Sequence, residues 1–290
     1  MTHTNPKLQE KTLIRKENPL TWSVEQHVND LNKFIEMYRK QQKDLGGITW
    51  SVCGEDTRSE IRKVNENSSN ILRATCHLAI TYEKGLGACT GFFVGPRKIV
   101  TAAHCLYERY NGFGHAVKVI ARPGLHRDCS GDIVPPFLGD FGDKVIVPDD
   151  WIENGNYESD YGLITLASDE LFNKANEPFF TLLDADDDFL EKYSSFNCYG
   201  YPDLAPFPNQ CFYRDEGEPI TIVTRHILYS KIDTSQGNSG GPLSFGGDMA
   251  VGICSHHSPD CSPPNGFTRI TTSVKREIED YPTLTGNIVQ

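Results

Sequence analysis

Three short stretches hold side chains suited to acyl transfer: Thr101-Ala102-Ala103-His104-Cys105, Asp160-Tyr161-Gly162-Leu163-Ile164 and Gly237-Asn238-Ser239-Gly240-Gly241-Pro242. A serine hydroxyl is a weak nucleophile at neutral pH. It needs a base within hydrogen-bond reach, and that base needs an acid to hold its tautomer. Ser239, His104 and Asp160 supply one candidate for each role, in the chain order His, Asp, Ser.

Each candidate has a suitable local setting. Ile99-Val100 leads into small residues, Thr101-Ala102-Ala103, which let a strand end turn tightly and present an imidazole at a cleft surface. Cys89–Cys105 would staple the strand pair beneath that histidine. Asp160 precedes the apolar stretch Gly162–Leu166. A carboxylate at the buried mouth of a strand is costly unless paired, and His104 is its natural partner. Asp149, Asp150 and Glu158 lack such a following strand. Around Ser239, glycines permit backbone angles closed to other residues, and the amides of Gly237 and Ser239 can aim together at a developing oxyanion. This chemistry requires no cofactor and no metal.

The elements that must position these groups are mainly β. From about Ile71 onward come short runs broken by Gly, Pro and Asp: Leu78 to Tyr82, Cys89 to Val94, Val117 to Ala121, Tyr161 to Leu166, Ile220 to Thr224 and Met249 to Cys254. Many short strands without strand–helix alternation indicate an all-β sandwich or barrel. Ser273 to Tyr281 suits a short closing helix, and the acidic run Asp184 to Asp188 reads as a solvated loop. The N-terminus differs. Residues 1–20 read as a loose polar tail. A helix then starts at a cap on Thr21 or Ser23, with Ser23-Val24-Glu25-Gln26 matching a capping box. Val24, Val28, Leu31, Ile35 and Tyr38 form its apolar face, and Gly46-Gly47 ends it. Residues 1–51 are therefore expected to be a separate N-terminal segment.

A net charge of −11 over 290 residues argues against a partner held through nucleic-acid phosphates and against an anionic membrane surface. No apolar run reaches bilayer length. The N-terminus carries no apolar signal core, whereas nine cysteines, some at disulfide spacing, favour an oxidising compartment. The expectation is secretion.

At its motifs the chain resembles the trypsin/chymotrypsin superfamily. It is similar to the bacterial glutamyl endopeptidase branch at Cys89-Thr90-Gly91-Phe92-Phe93-Val94-Gly95-Pro96, Val147-Pro148-Asp149-Asp150-Trp151 and Ile232-Asp233-Thr234. The resemblance covers roughly residues 52–282. It implies two six-stranded antiparallel β-barrels with His104, Asp160 and Ser239 in the cleft between them, here with an added N-terminal helix. A serine endopeptidase acting on proteins or peptides as a monomer is the expected function. A catalytically inactive binding module is the alternative.

Two departures from the resemblance stand out. Asn238 occupies the place where trypsins carry an Asp that pairs with a freed N-terminal amine. Ser235 and Ser244 stand where trypsins have cysteines. Val52-Cys53-Gly54-Glu55-Asp56-Thr57-Arg58 resembles the start of mature glutamyl endopeptidases, so cleavage near Ser51–Val52 would release residues 1–51 as a propeptide and leave a protease domain over 52–290. A permanently docked helix is the other reading.

For substrate binding, the resemblance points to Asp233 at the pocket base beside Thr234, to backbone hydrogen bonds from Ser255, and to His256 close to the pocket wall. Asp233 beside a neutral Cys254 favours a basic residue before the scissile bond over Glu. Cys198–Cys211 and Cys254–Cys261 are candidate local disulfides or pairs of buried thiols, with Cys53, Cys76 and Cys129 left over. A zinc site from Cys254, His256, His257 and Cys261 is chemically conceivable, but a disulfide beside wall histidines is the expected arrangement there. Asn67-Ser68-Ser69 is a glycosylation sequon.

Overall fold

The computed structural model describes residues 7–15, 17–45, 50–52, 55–203, 211–257 and 261–282. Six antiparallel strands close a first barrel in the order Asp140–Pro148, Gly162–Leu166, Lys98–Thr101, Leu86–Gly95, Thr75–Tyr82 and Gly114–Pro123. Closure comes from Asp140 and Phe141 pairing back onto Ala121 and Ile120. Leu78, Phe92, Phe93, Val100, Val119 and Ile164 fill the interior and are fully buried. Each such side chain contributes about 1.5–3 kcal/mol on leaving water.

A second sheet runs Ile220–Val223, Ile227–Ser230, Asn265–Arg269, Met249–His256, Pro242–Phe245, Phe196–Gly200 and Phe212–Glu218, with Ser59–Ile61 at the far edge. Phe212–Glu218 continues through Pro219 into Ile220–Val223, so the sheet curls until strands six places apart are joined by one residue. Leu190, Phe196, Leu228, Ile232, Leu243 and Phe267 form its core. The closing helix spans Thr272–Glu279 and is capped by Thr271.

The N-terminal segment is woven into both halves. Leu8–Thr12, expected as loose tail, is instead a strand that pairs antiparallel with Asp140–Pro148, and Leu13 enters the first core. Its polar sequence, LQEKT, suits an edge strand with one solvated face. The helix spans Val24–Asp44, and Ser23 and Gln26 form the expected reciprocal capping box. Leu31, Ile35 and Tyr38 are buried as anticipated. Val24, however, is 55% exposed, and His27 takes a fully buried place on the inward face. The Gly46-Gly47 stop lies outside the described residues.

Leu31 and Ile35 pack into a cluster that draws Leu125 and Phe137 from one half and Tyr199, Tyr201 and Phe212 from the other. Arg122, fully buried in the first barrel, donates to Asp30 at 2.6 Å. At the helix end the Gln41 side chain acts like a strand neighbour: Nε2 donates to Leu86 O at 2.7 Å, and Oε1 accepts from Leu86 N at 2.8 Å.

The acidic run is also structured. Asp186 caps a helix over Asp187–Lys192 by accepting from Phe189 N, and Asp187 accepts from Arg269 at 2.7 Å. Negative side chains at a helix N-terminus meet unpaired amides and the positive end of the dipole, so the run is a helix start and not merely a solvated loop.

Candidate active site

Strand pairing brings the first two chemical groups together. Gly162 lies opposite Thr101, so the residues just before one strand and just after the other become neighbours. Ala102 and Ala103 are fully buried in the turn that follows Thr101 and carries His104. The Cys89–Cys105 disulfide is present, and Tyr82 Oη donates to Cys105 O at 2.9 Å, which fixes the base of that turn.

Asp160 is fully buried yet fully engaged. Oδ1 accepts the His104 backbone N–H at 2.9 Å, and Oδ2 lies 2.8 Å from His104 Nδ1. Ser255 Oγ donates to the same Oδ2 at 2.6 Å. Three donors compensate the desolvation of one carboxylate. Burial opposes protonation of His104, and the facing Asp160 carboxylate more than offsets it, leaving the imidazole pKa raised. Ser255 was expected only to contact substrate; its bond to Asp160 carries no sequence signal of its own.

Ser239 sits in a tightly folded loop. Gly237 and Gly240 have φ of +96° and +83°, in the region that favours glycine. A Cβ on Gly240 would meet Thr101 Oγ1 at 2.0 Å and Thr90 O at 2.3 Å, so this loop lies directly on the histidine-bearing strand. Asn238 ties the loop to itself: its N–H donates to Ser235 O at 2.9 Å, and its Oδ1 accepts from Ser235 N at 3.2 Å. A neutral amide does this work without a terminal amine as partner. Thr90 N donates to Ser239 O at 2.9 Å, and Thr90 Oγ1 to Gly237 O at 2.7 Å.

His104, Ser239, Gly237, Thr234, Ser255 and His256 all line one cleft of about 470 Å³. Among the described residues no hydrogen bond joins Ser239 Oγ to the His104 ring; such contacts often tighten only when substrate is bound. His256 lies against Tyr157 with ring centroids 4.4 Å apart. Burial and the neighbouring His104 lower the His257 pKa; burial also lowers that of His256.

Asp233 is not among the cleft-lining residues. It is 3% exposed, and its Oδ2 accepts from Thr57 N at 2.9 Å and from Thr57 Oγ1 at 3.2 Å. Its own N–H donates to Asp215 at 2.6 Å. The expected pocket base is thus turned onto the 55–58 segment. Glu108, a carboxylate that does line the cleft, accepts from the amides of Tyr110, Asn111 and Phe113.

The two other proposed cysteine pairs do not form. Cys198, Cys211 and Cys254 are buried free thiols, while Cys261 is disulfide-bonded elsewhere. Cys198 instead hydrogen-bonds Cys254 inside the second core, and that contact together with burial pushes its thiol pKa well up. A bonded Cys261 also removes one ligand from the conceivable zinc set. Cys53 lies outside the described residues.

Known proteins resemble the chain in sequence and in fold. Residues 63–189 and 208–276, more than half of the chain, match the family model described as Trypsin. A glutamyl endopeptidase of Bacillus licheniformis is 27% identical over 232 residues, covering 77% of this chain and 66% of the relative. An extracellular metalloprotease of Bacillus subtilis is 31% identical over 118 residues, covering 40% and 34% respectively. The chain therefore spans less than two thirds of the length of these relatives. Among solved structures, a Glu endopeptidase in complex with MPD superposes with a TM-score of 0.64 at 20% identity, over 79% of this chain and 98% of that one. From the closed first barrel, the curled second sheet and these matches, we conclude that the chain belongs to the trypsin family.

Proposed function

We propose that the protein is a serine endopeptidase. The observation that carries this reading is a buried Asp160 oriented onto His104, in the cleft that also presents Ser239. Ser239 Oγ attacks the substrate carbonyl and passes its proton to His104 Nε2. Asp160 holds the Nδ1–H tautomer and stabilises the imidazolium. The tetrahedral adduct then collapses to the acyl-enzyme as the C–N bond breaks and the leaving amine takes the proton from His104, and a water repeats the sequence to release the acid. The amides of Gly237 and Ser239 receive the oxyanion.

The side chain before the scissile bond is read as acidic, not basic. Asp233 gives its carboxylate to Thr57, and the adjoining walls offer Thr234, Ser235 and His257, which can donate to a carboxylate. The glutamyl endopeptidase among the relatives supports the same direction. The Cys89–Cys105 disulfide fits a compartment outside the reducing cytosol. No helix among the described residues is long and apolar enough to cross a membrane.

Digestion of a peptide library, read by mass spectrometry with Ser239→Ala as control, tests the reading. Cuts after Glu or Asp by wild type alone are expected. Cuts after Lys or Arg would overturn the acidic pocket. An absence of cuts and of fluorophosphonate labelling would leave a binding module.

A further inference from the structure

A buried tyrosine links the helix over Val24–Asp44 to the chemistry. Tyr38 is 2% exposed, and its hydroxyl stands between two groups of the second half. It donates to Asp203 Oδ2 at 3.3 Å and accepts from Gln236 Nε2 at 3.1 Å. Asp203, fully buried, closes the triangle: its backbone N–H donates to Gln236 O at 2.6 Å. Gln236 immediately precedes Gly237, the residue whose amide faces the oxyanion in the mechanism above.

The geometry of a trans peptide gives this triangle its meaning. The C=O of Gln236 and the N–H of Gly237 belong to one planar unit and point in opposite directions. Holding the carbonyl on Asp203 therefore turns the Gly237 N–H the other way. A glycine at φ +96° has little intrinsic preference to resist a flip of this unit, so its orientation must come from outside the loop. Thr90 holds the next carbonyl, that of Gly237, at 2.7 Å. Tyr38 in turn is held by the helix, which is fixed to one half by the Gln41–Leu86 pair and the Arg122–Asp30 ion pair and sits on the shared cluster through Leu31 and Ile35.

We propose that Tyr38 is a positioning residue for the oxyanion site, and that residues 7–45 therefore stay with the working enzyme and are not shed from it. The proposal rests on the serine endopeptidase reading. It gives the N-terminal segment a catalytic duty that a discarded propeptide would not have.

The test compares wild type, Tyr38→Phe, Gln236→Leu and the double variant as full chains. Each is assayed on a peptide that wild type cleaves and with a boronate of the same peptide, whose tetrahedral adduct places an oxygen at the oxyanion position. Loss of one oxyanion donor typically costs 10²–10³ in kcat; a loosened donor is expected to cost about tenfold or more. The expected result is that fall in kcat with KM within about twofold, boronate affinity weakened in parallel, and no further loss in the double variant.

Unchanged kcat in Tyr38→Phe would overturn the proposal. So would additive losses in the double variant. Mass spectrometry of the fluorophosphonate-labelled species is expected to find residues 7–45 attached or bound, and full activity in a species lacking them would also overturn it. If Tyr38→Phe fails to fold, Gln236→Leu, at a half-buried position, carries the same kcat and boronate comparison. Should wild type neither cleave nor label, the endopeptidase reading falls with this one. If wild type acts and Tyr38→Phe equals it, only the role of Tyr38 falls.

Discussion

Replacing Asp160 by Asn changes one atom and should invert the histidine. Oδ1 of Asp160 accepts from the His104 backbone N–H, a donor that cannot rotate or reverse. The carboxamide oxygen must therefore take that position, which places its NH2 where Oδ2 now faces His104 Nδ1 and Ser255 Oγ. The serine hydroxyl can turn and accept. The imidazole can satisfy the NH2 only by becoming an acceptor at Nδ1, and it then carries its proton on Nε2, where it cannot take one from Ser239. Restoring the productive tautomer forfeits a charge-assisted bond of about 1.5–3 kcal/mol and sets two donors face to face, which adds about 1–3 kcal/mol. At about 1.4 kcal/mol per decade this amounts to roughly two to four decades in kcat, with KM little changed. Steady-state kinetics on a cleavable peptide measure it, with urea unfolding to confirm that the fold persists. A kcat within tenfold of wild type would refute the tautomer argument and the role of Asp160 with it.

Other outcomes follow from the same structure. Because His104 must be neutral to act and its pKa is raised, kcat/KM should fall as pH drops through a value above 6.5. Ser255→Ala, which strips a donor from Asp160, should move that acid limb upward, and an unmoved limb would argue against the coupling. Gly240→Ala would drive a methyl into Thr101 and Thr90 at positive φ, so a loss of at least about 2 kcal/mol in urea unfolding is expected. His27, buried against the first barrel with its pKa lowered from 6.5 to about 4, stays neutral in the fold. The unfolded chain binds the extra proton, so stability is full above about pH 6.5 and declines toward pH 4, by about 3 kcal/mol from this residue. His27→Gln should flatten that decline. Thiol titration should find one reactive cysteine among the described residues of the native protein, Cys129, and four more (Cys76, Cys198, Cys211 and Cys254) only after unfolding.

That His104 would lie on Asp160 and share a cleft with Ser239 was legible in the sequence because each group sits in its own contiguous motif, and the Cys89–Cys105 disulfide was legible because it spans the same hairpin as His104. What sequence reading missed depends on partners far along the chain. Leu8–Thr12 looks like a polar tail because its strand character comes from Asp140–Pro148. Asp233 has the right spacing from Ser239, but the direction of its carboxylate is set by Thr57. Short spacing suggested joining Cys198 to Cys211 and Cys254 to Cys261; the curl of the second sheet instead brings Cys198 to Cys254 from strands separated by Pro242–Phe245. Asp160, by contrast, was found because a buried carboxylate must have a partner and the sequence offered one.

The edge strand at the N-terminus has a consequence for how the chain is made. Leu8 pairs with Pro148, so on the ribosome it waits while about 140 further residues are added, roughly 7–28 s at 5–20 residues per second. Tyr38 waits longer still, until Asp203 and Gln236 have emerged. Both segments thus dock only after partners far downstream have emerged, and a chain released before Asp203 and Gln236 would leave the Tyr38 hydroxyl without either group.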